Sequence, residues 1–265
     1  MAIDVQADGQ EAEVLFERIG DHVVLLTLNR PGAHNAVNGA LARQLGEYTM
    51  RIEADPSIRV AILAARGKSF CAGVDLKVVA AGRVDELMPF GAGFAGFVYA
   101  PRAKPWIAAV HGGAFGGGME LALACDMIVA GENAVFALPE VKRGLIAGAG
   151  GCHRIARALP RALAIEMVVT GERLSAERAC AFGLANRLVP AGQEITAAVE
   201  IAQAIAGNAP SSVRESLRVT RLAADRDETA VLAAQEEAIA NVLASPNARE
   251  GARAFIEKRA PAWLD

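Results

Sequence analysis

Glu120 follows the run Gly116-Gly117-Gly118-Met119, and Glu140 follows Pro139. Each lies a few residues past a break in regular structure, and the turn Ala72-Gly73-Val74-Asp75 lies upstream of both. Two carboxylates able to flank one substrate can manage both protons when water adds across a double bond. Glycine-bearing turns offer bare backbone N–H groups, which can hold the negative oxygen that such chemistry creates. Each piece also has a plainer reading. A glycine triplet makes a tight turn, Glu is favoured in a first helical turn, and Ala72 to Asp75 fits an ordinary strand-to-helix loop.

The elements that must position these residues follow from hydrophobic patterning. Val14 to Ile19 and His22 to Leu28 read as strands joined across Gly20-Asp21. Asn38 is a candidate N-cap, after which Leu41, Leu45 and Tyr48 recur at helical spacing. Val60 to Ala64, Trp106 to Val110 and Met127 to Ala130 are short continuous apolar runs, as for buried strands. A helix is expected from Gly117 to Cys125. Phe70 to Lys77 follows the strand near residue 62, where open α/β sheets place ligands.

Gly144 to Gly151 opens another helix but fits neither a dinucleotide loop nor a P-loop, because the residues those need are not in place. Ser175 caps a short helix that Gly183 ends, Ala185 to Val189 is a brief strand, and three longer helical patterns follow. The expectation is an α/β core over residues 1–190 and a helical region over 191–265. Residues 80–104 interleave Gly and Pro with Met88, Phe90, Phe94, Phe97 and Tyr99. That composition fits a lid or acyl-pocket wall, and equally a surface loop with one buried turn.

With 265 residues, 53% of them hydrophobic, core material is ample; with 5% aromatic, packing must rely on small side chains. A net charge of −3 with mixed signs argues against nucleic acid and basic membrane-surface binding. No apolar run approaches the roughly 20 residues of a membrane span. Met1 to Glu13 has the pattern of neither a secretory signal nor a transit peptide, so a cytoplasmic protein is expected. Cys71, Cys125, Cys152 and Cys180 are scattered, as for packing residues in a reducing compartment. The four histidines show no ligand spacing, so no metal is expected.

Taken together, these residues resemble the crotonase, or enoyl-CoA hydratase, superfamily. The matching pieces are Leu28-Asn29-Arg30-Pro31 with His34-Asn35-Ala36, Phe70 to Lys77, Gly116 to Asp126, Phe136 to Gly151, Thr170 to Ala176, and Glu250-Gly251 to Arg259. They span nearly the whole chain in the family's order.

The resemblance implies a spiral core of repeated ββα units, a helical C-terminal trimerisation region, and a homotrimer or dimer of trimers. It implies an acyl-CoA thioester as ligand and no separate cofactor, CoA being part of the substrate. By position, Val74 and Gly117 match the two oxyanion-hole amides, and Glu120 and Glu140 match the catalytic glutamates of the hydratases. Ala33, Ala72, Asp75 and Lys77 fall where the family meets CoA. Phe255 and Lys258 match C-terminal residues that reach CoA, in some members across a subunit boundary.

Two positions depart from the pattern: Gly32 stands where many hydratases carry a lysine, and Ala147 replaces a common proline. Gly93 to Gly96, Phe136 to Glu140 and the tail from Glu257 to Trp263 are similar to the carnitinyl-CoA dehydratase branch. The activity implied is hydration of a trans-2-enoyl-CoA. The alternatives are dehydration of the carnitinyl-CoA type, enoyl-CoA isomerisation, which moves a proton without water, and acyl-CoA binding without turnover.

Overall fold

A computed structural model describes residues 12–224 and 226–264. The segment read for a targeting signal lies outside the described residues up to Glu11. The described residues open with the expected hairpin, β1 (Val14–Ile19) and β2 (Val23–Leu28), antiparallel with Val14 opposite Leu28. Asn38 caps α1 (Gly39–Ala54), its side chain accepting the Leu41 N–H at 2.8 Å. Leu41, Leu45 and Ile52 then point into the core, and Tyr48 packs on Phe16 with ring centroids 5.3 Å apart.

From there the chain repeats one unit. β3 (Val60–Ala65) leads through Cys71 to α2 (Leu76–Ala80). β4 (Trp106–Val110) leads through β5 (Gly113–Phe115) to α3 (Gly117–Ala124). β6 (Met127–Gly131) leads through β7 (Val135–Ala137) to α4 (Gly151–Ala158) and α5 (Arg161–Thr170). β8 (Leu174–Ser175), α6 (Ala176–Ala181) and β9 (Arg187–Val189) complete the core.

The first strand of each unit joins a six-stranded sheet ordered β1-β2-β3-β4-β6-β9, parallel from β2 onward. The second strand joins a smaller sheet ordered β5-β7-β8, and Cys71 extends it by a parallel bridge to Ala114. This is the ββα spiral, and it brings the Cys71, Phe115 and Ala137 ends side by side.

The continuous apolar runs have a direct cause. Ala61, Leu63 and Ala65 face one core, while Val60, Ile62 and Ala64 face a second, so β3 is buried on both sides. α7 (Glu194–Ala206) covers that second face with Ala197, Ala198, Ala202 and Ala206, whose small side chains let the helix approach the sheet closely. The expected division near residue 190 thus falls just before a helix that packs on the sheet.

Among the described residues four helices rather than three follow residue 190, because Pro246 starts a new one. They are α7, α8 (Pro210–Ala223), α9 (Glu228–Ala244) and α10 (Pro246–Glu257). Arg221 of α8 grips Asp126 with two bonds of 2.7 Å. Trp263 donates its indole N–H to the Gly207 carbonyl at 2.7 Å, which ties the tail to the end of α7.

Residues 80–104 are buried in part and exposed in part. Leu87, Phe94, Ala95, Phe97 and Val98 are buried, whereas Met88 and Phe90 are half exposed. The segment lies on α1 at a glycine contact: a Cβ added at Gly96 would sit 2.9 Å from the Gly46 Cα.

Candidate active site

The Ala72–Asp75 turn is held from both ends. Val37 donates its N–H to the Gly73 carbonyl at 2.8 Å, and Asp75 donates its N–H to the Val37 carbonyl at 2.9 Å. Because a peptide unit is planar and trans, fixing the Gly73 carbonyl turns the Val74 N–H the opposite way. That N–H makes no hydrogen bond among the described residues.

The second amide is built by the start of α3. The Gly116 carbonyl accepts the Glu120 N–H at 3.0 Å, so the Gly117 N–H in the same peptide unit points out of the helix, where it too has no partner among the described residues. Gly73 brings the two together. It has φ +94°, and a Cβ there would lie 3.1 Å from the Gly117 nitrogen and 2.8 Å from the Phe115 oxygen. Only glycine allows that approach. The Phe94 ring closes the other side, within 2.6 Å of where a Gly117 Cβ would be.

Both carboxylates flank this pair. Glu120 lies in the first turn of α3 and is only 4% exposed, and its Oε1 accepts the Gly151 N–H at 2.9 Å. Glu140 lies in a single 3-10 turn, Pro139–Arg143, that Pro139 begins. Its Oε1 is 3.2 Å from where a Gly116 Cβ would be. Its Oε2 is buried without a hydrogen-bond partner among the described residues.

Burial pushes the Glu120 carboxyl up to about 7, and the nearby Glu140 adds to the rise, while the Gly151 N–H opposes it. Burial also raises the Glu140 carboxyl above its ordinary range. A carboxyl raised to near neutrality can accept or give a proton at neutral pH.

The remaining candidate residues divide. Ala33 and Ala72 come together through a bond from the Ala72 N–H to the His34 carbonyl at 3.0 Å. Lys77 is exposed on α2, with its side chain open to solvent at the mouth of the same loop. The Asp75 carboxylate is already engaged, accepting the Lys77 N–H at 3.1 Å and pairing with Arg30 at 3.2 Å. It shapes the loop.

Phe255 is 85% exposed on α10, and Lys258 ends that helix in the left-handed region at φ +54°. The bonds described for α10 run to the C-terminal tail and within the helix. None described connects it to the carboxylates. Cys71, buried beneath the turn, has its thiol pushed up to about 12 by burial, which keeps it an unreactive packing residue.

Two residues of the site escape sequence reasoning. Gly151 holds Glu120, yet Glu120 precedes it by 31 positions and a glycine-rich stretch says nothing of which side chain it faces. Asn35 is fully buried and staples three backbone groups, accepting the Arg30 N–H and donating to the Arg66 and Ser69 carbonyls at 2.8 Å each. Its presence in the Leu28 to Ala36 piece was the only signal. Among the described residues no cluster of His, Cys, Asp and Glu could hold a metal ion, and no helix is long and apolar enough to cross a membrane.

A spiral of ββα units carrying two acids beside two free amides defines a class, and comparison with known proteins agrees with it. The family described as enoyl-CoA hydratase/isomerase matches residues 18–265, and the chain belongs to this crotonase family. A carnitinyl-CoA dehydratase of Proteus mirabilis is 43% identical over 248 residues, covering 91% of this chain and 94% of that protein. A mevalonyl-coenzyme A hydratase of Aspergillus fumigatus is 40% identical over 248 residues, covering 91% of each. Among solved structures, an enoyl-CoA hydratase from Mycobacterium tuberculosis H37Rv is 42% identical with a TM-score of 0.91, covering 96% of this chain and 99% of that one.

Proposed function

We propose that the protein is a hydro-lyase of the enoyl-CoA hydratase type, adding water reversibly and syn to a trans-2-enoyl-CoA to give the 3-hydroxyacyl-CoA. One observation carries this reading: a buried acid held near pH 7 and a half-buried second acid, beside two unpaired amides. The Val74 and Gly117 N–H groups polarise the thioester carbonyl and hold the enolate oxygen. Glu120 takes a proton from water as the water oxygen bonds to C3, and Glu140 delivers a proton to C2. Hydroxide and proton add with no change of electron count, so the step calls for no redox carrier. CoA belongs to the substrate.

Ala33 and Ala72 present the loops against which CoA lies, Asp75 holds their shape, and Lys77 offers a charge to the phosphates. Phe255 and Lys258 complete the CoA site of a neighbouring subunit in a homotrimer or dimer of trimers. The half-exposed Leu232 and Ile239 and the more exposed Leu243 of α9 support such an assembly. The absence of a spanning helix among the described residues is compatible with a cytoplasmic place of work.

The test is incubation with a 2-enoyl-CoA and, separately, a 3-enoyl-CoA, following loss or gain of the conjugated enoyl absorbance. Hydration of the first with Glu140→Gln slowed by about two to four orders of magnitude is expected. Turnover of the 3-enoyl ester alone would favour isomerisation, and tight binding with no turnover would favour a binding protein. The likeness to a carnitinyl-CoA dehydratase gives one more reading of the same chemistry, dehydration of a charged acyl group. A panel of short, branched and charged esters separates it.

A further inference from the structure

Arg154 of α4 lies close enough to Glu120 for its charge to act on that carboxyl. Its Nη2 donates to the Val98 carbonyl at 2.5 Å and its Nη1 to the Ala149 carbonyl at 3.2 Å. Its guanidinium carbon sits 5.2 Å over the Tyr99 ring, and the Tyr99 hydroxyl reaches the Gly148 carbonyl at 3.3 Å. Gly150, at φ +103°, leaves room for it: a Cβ there would lie 2.2 Å from Nη1. One side chain thus joins two segments that meet the site from opposite sides. The first runs from Phe94, beside Gly117, to Tyr99. The second is the turn whose last member, Gly151, donates to Glu120 at 2.9 Å.

We propose that Arg154 is a positioning residue for this site: it clamps Val98 and Tyr99 to the Gly148–Gly151 turn, fixes the Gly151 N–H on Glu120, and sets a positive charge near that carboxylate. No carboxylate lies within ion-pair distance of Arg154 among the described residues, so its charge is committed to no nearer acid. A half-buried guanidinium left without an acid pays part of the cost of burying a charge, and burial accordingly pulls Arg154 below its ordinary range, with Tyr99 and Glu120 acting the other way. In return, its charge draws Glu120 down against the upward push of burial and of Glu140.

Several other charged or titratable groups face the pair. Glu140, with Arg143 beside it, comes from the 3-10 turn, and Tyr99 from the segment leading to β4. Arg157 and His153 come from α4 itself. Arg102 feels Arg154 from the far side, and Cys125 lies at the end of α3.

The inference rests on the hydratase reading, and the experiment keeps the two apart. Arg154→Gln removes the charge and loosens the clamp, Arg154→Lys keeps the charge and loosens the clamp, and His153→Gln is the control for the neighbouring imidazole. Each is measured for kcat and KM on a 2-enoyl-CoA as a function of pH. Each is also measured by infrared titration of the carboxyl band that disappears in Glu120→Gln.

In Arg154→Gln the band and the acid limb of kcat/KM should both move up together, by less than about one pH unit, because burial and Glu140 set most of the rise. In Arg154→Lys both should stay near the wild-type pH, with kcat down on the order of tenfold to a hundredfold and KM changed by less than about twofold. His153→Gln should leave the limb in place. A residue that only stabilises the fold would lower thermal stability without moving the band. A normal kcat in Arg154→Lys, or a folded Arg154→Gln with an unmoved band, overturns the proposal. Wild-type protein with no hydration would sink the hydratase reading, while the infrared band would still report on Arg154.

Discussion

Replacing Glu120 with Gln should make the protein less active and more stable at once. Glu120 is only 4% exposed, and its carboxyl titrates at about 7 against an ordinary 4.5. At ~1.4 kcal/mol per pH unit, that rise is worth about 3 kcal/mol. The folded state holds this proton more tightly than the unfolded chain does. Its contribution to stability is therefore fully present below about pH 4.5 and is lost as pH rises through about 7.

Gln carries no charge to bury and keeps an oxygen for the Gly151 N–H, so the variant should not suffer this loss. The difference in unfolding free energy, variant minus wild type, should grow by about 3 kcal/mol between about pH 4.5 and pH 8.5. Urea unfolding followed by circular dichroism, at one protein concentration because any subunit association adds to stability, reads this directly. Turnover should fall by about two to four orders of magnitude over the same range. A stability difference that stays flat with pH would refute the burial of a carboxylate at this position, and near-normal hydration would remove Glu120 from the mechanism.

Gly117→Ala should lose activity by about two to three orders of magnitude, because a methyl 2.6 Å from the Phe94 ring must displace the helix start and its N–H. Adding Phe94→Ala should recover part of that loss, and a double variant no better than the single one would count against the steric account. Gly73→Ala should destabilise the protein by on the order of 2 kcal/mol or more in denaturant unfolding, since φ +94° and a 2.8 Å approach to the Phe115 oxygen both exclude a side chain. An unchanged midpoint there would contradict the close contact of the two turns. Removing residues after Asn247 should weaken assembly and CoA binding together, as exposure of apolar faces of α9 worth roughly 1.5–3 kcal/mol per side chain implies. An active monomer in light scattering at micromolar concentration would sink that expectation.

Local chemistry made much of this protein legible in its sequence. Strands β3, β4 and β6 announce themselves because burial on both faces demands uninterrupted apolar residues. Asn38 and Ser175 declare helix starts because a side chain within three residues satisfies a free N–H. Glu120 and Glu140 stand out because each is an acid set just past a glycine or proline break, and the wider pattern of pieces carries the family.

Other features depend on which parts of the chain meet, and no local rule contains that. Pairing of the Val74 and Gly117 amides needs Gly73 pressed against α3, 44 positions further along the chain. The titration of Glu120 depends on burial, on Glu140 and on the Gly151 N–H, and only the folded chain assembles those three. The engagement of Asp75 by Arg30, the stapling by Asn35 and the clamp made by Arg154 are likewise contacts between distant segments. Local elements and the types of reacting groups are written along the chain, because they obey short-range sterics and hydrogen bonding. Their distances, burial and charge environment were decided by tertiary structure alone, because electrostatics and packing act through space.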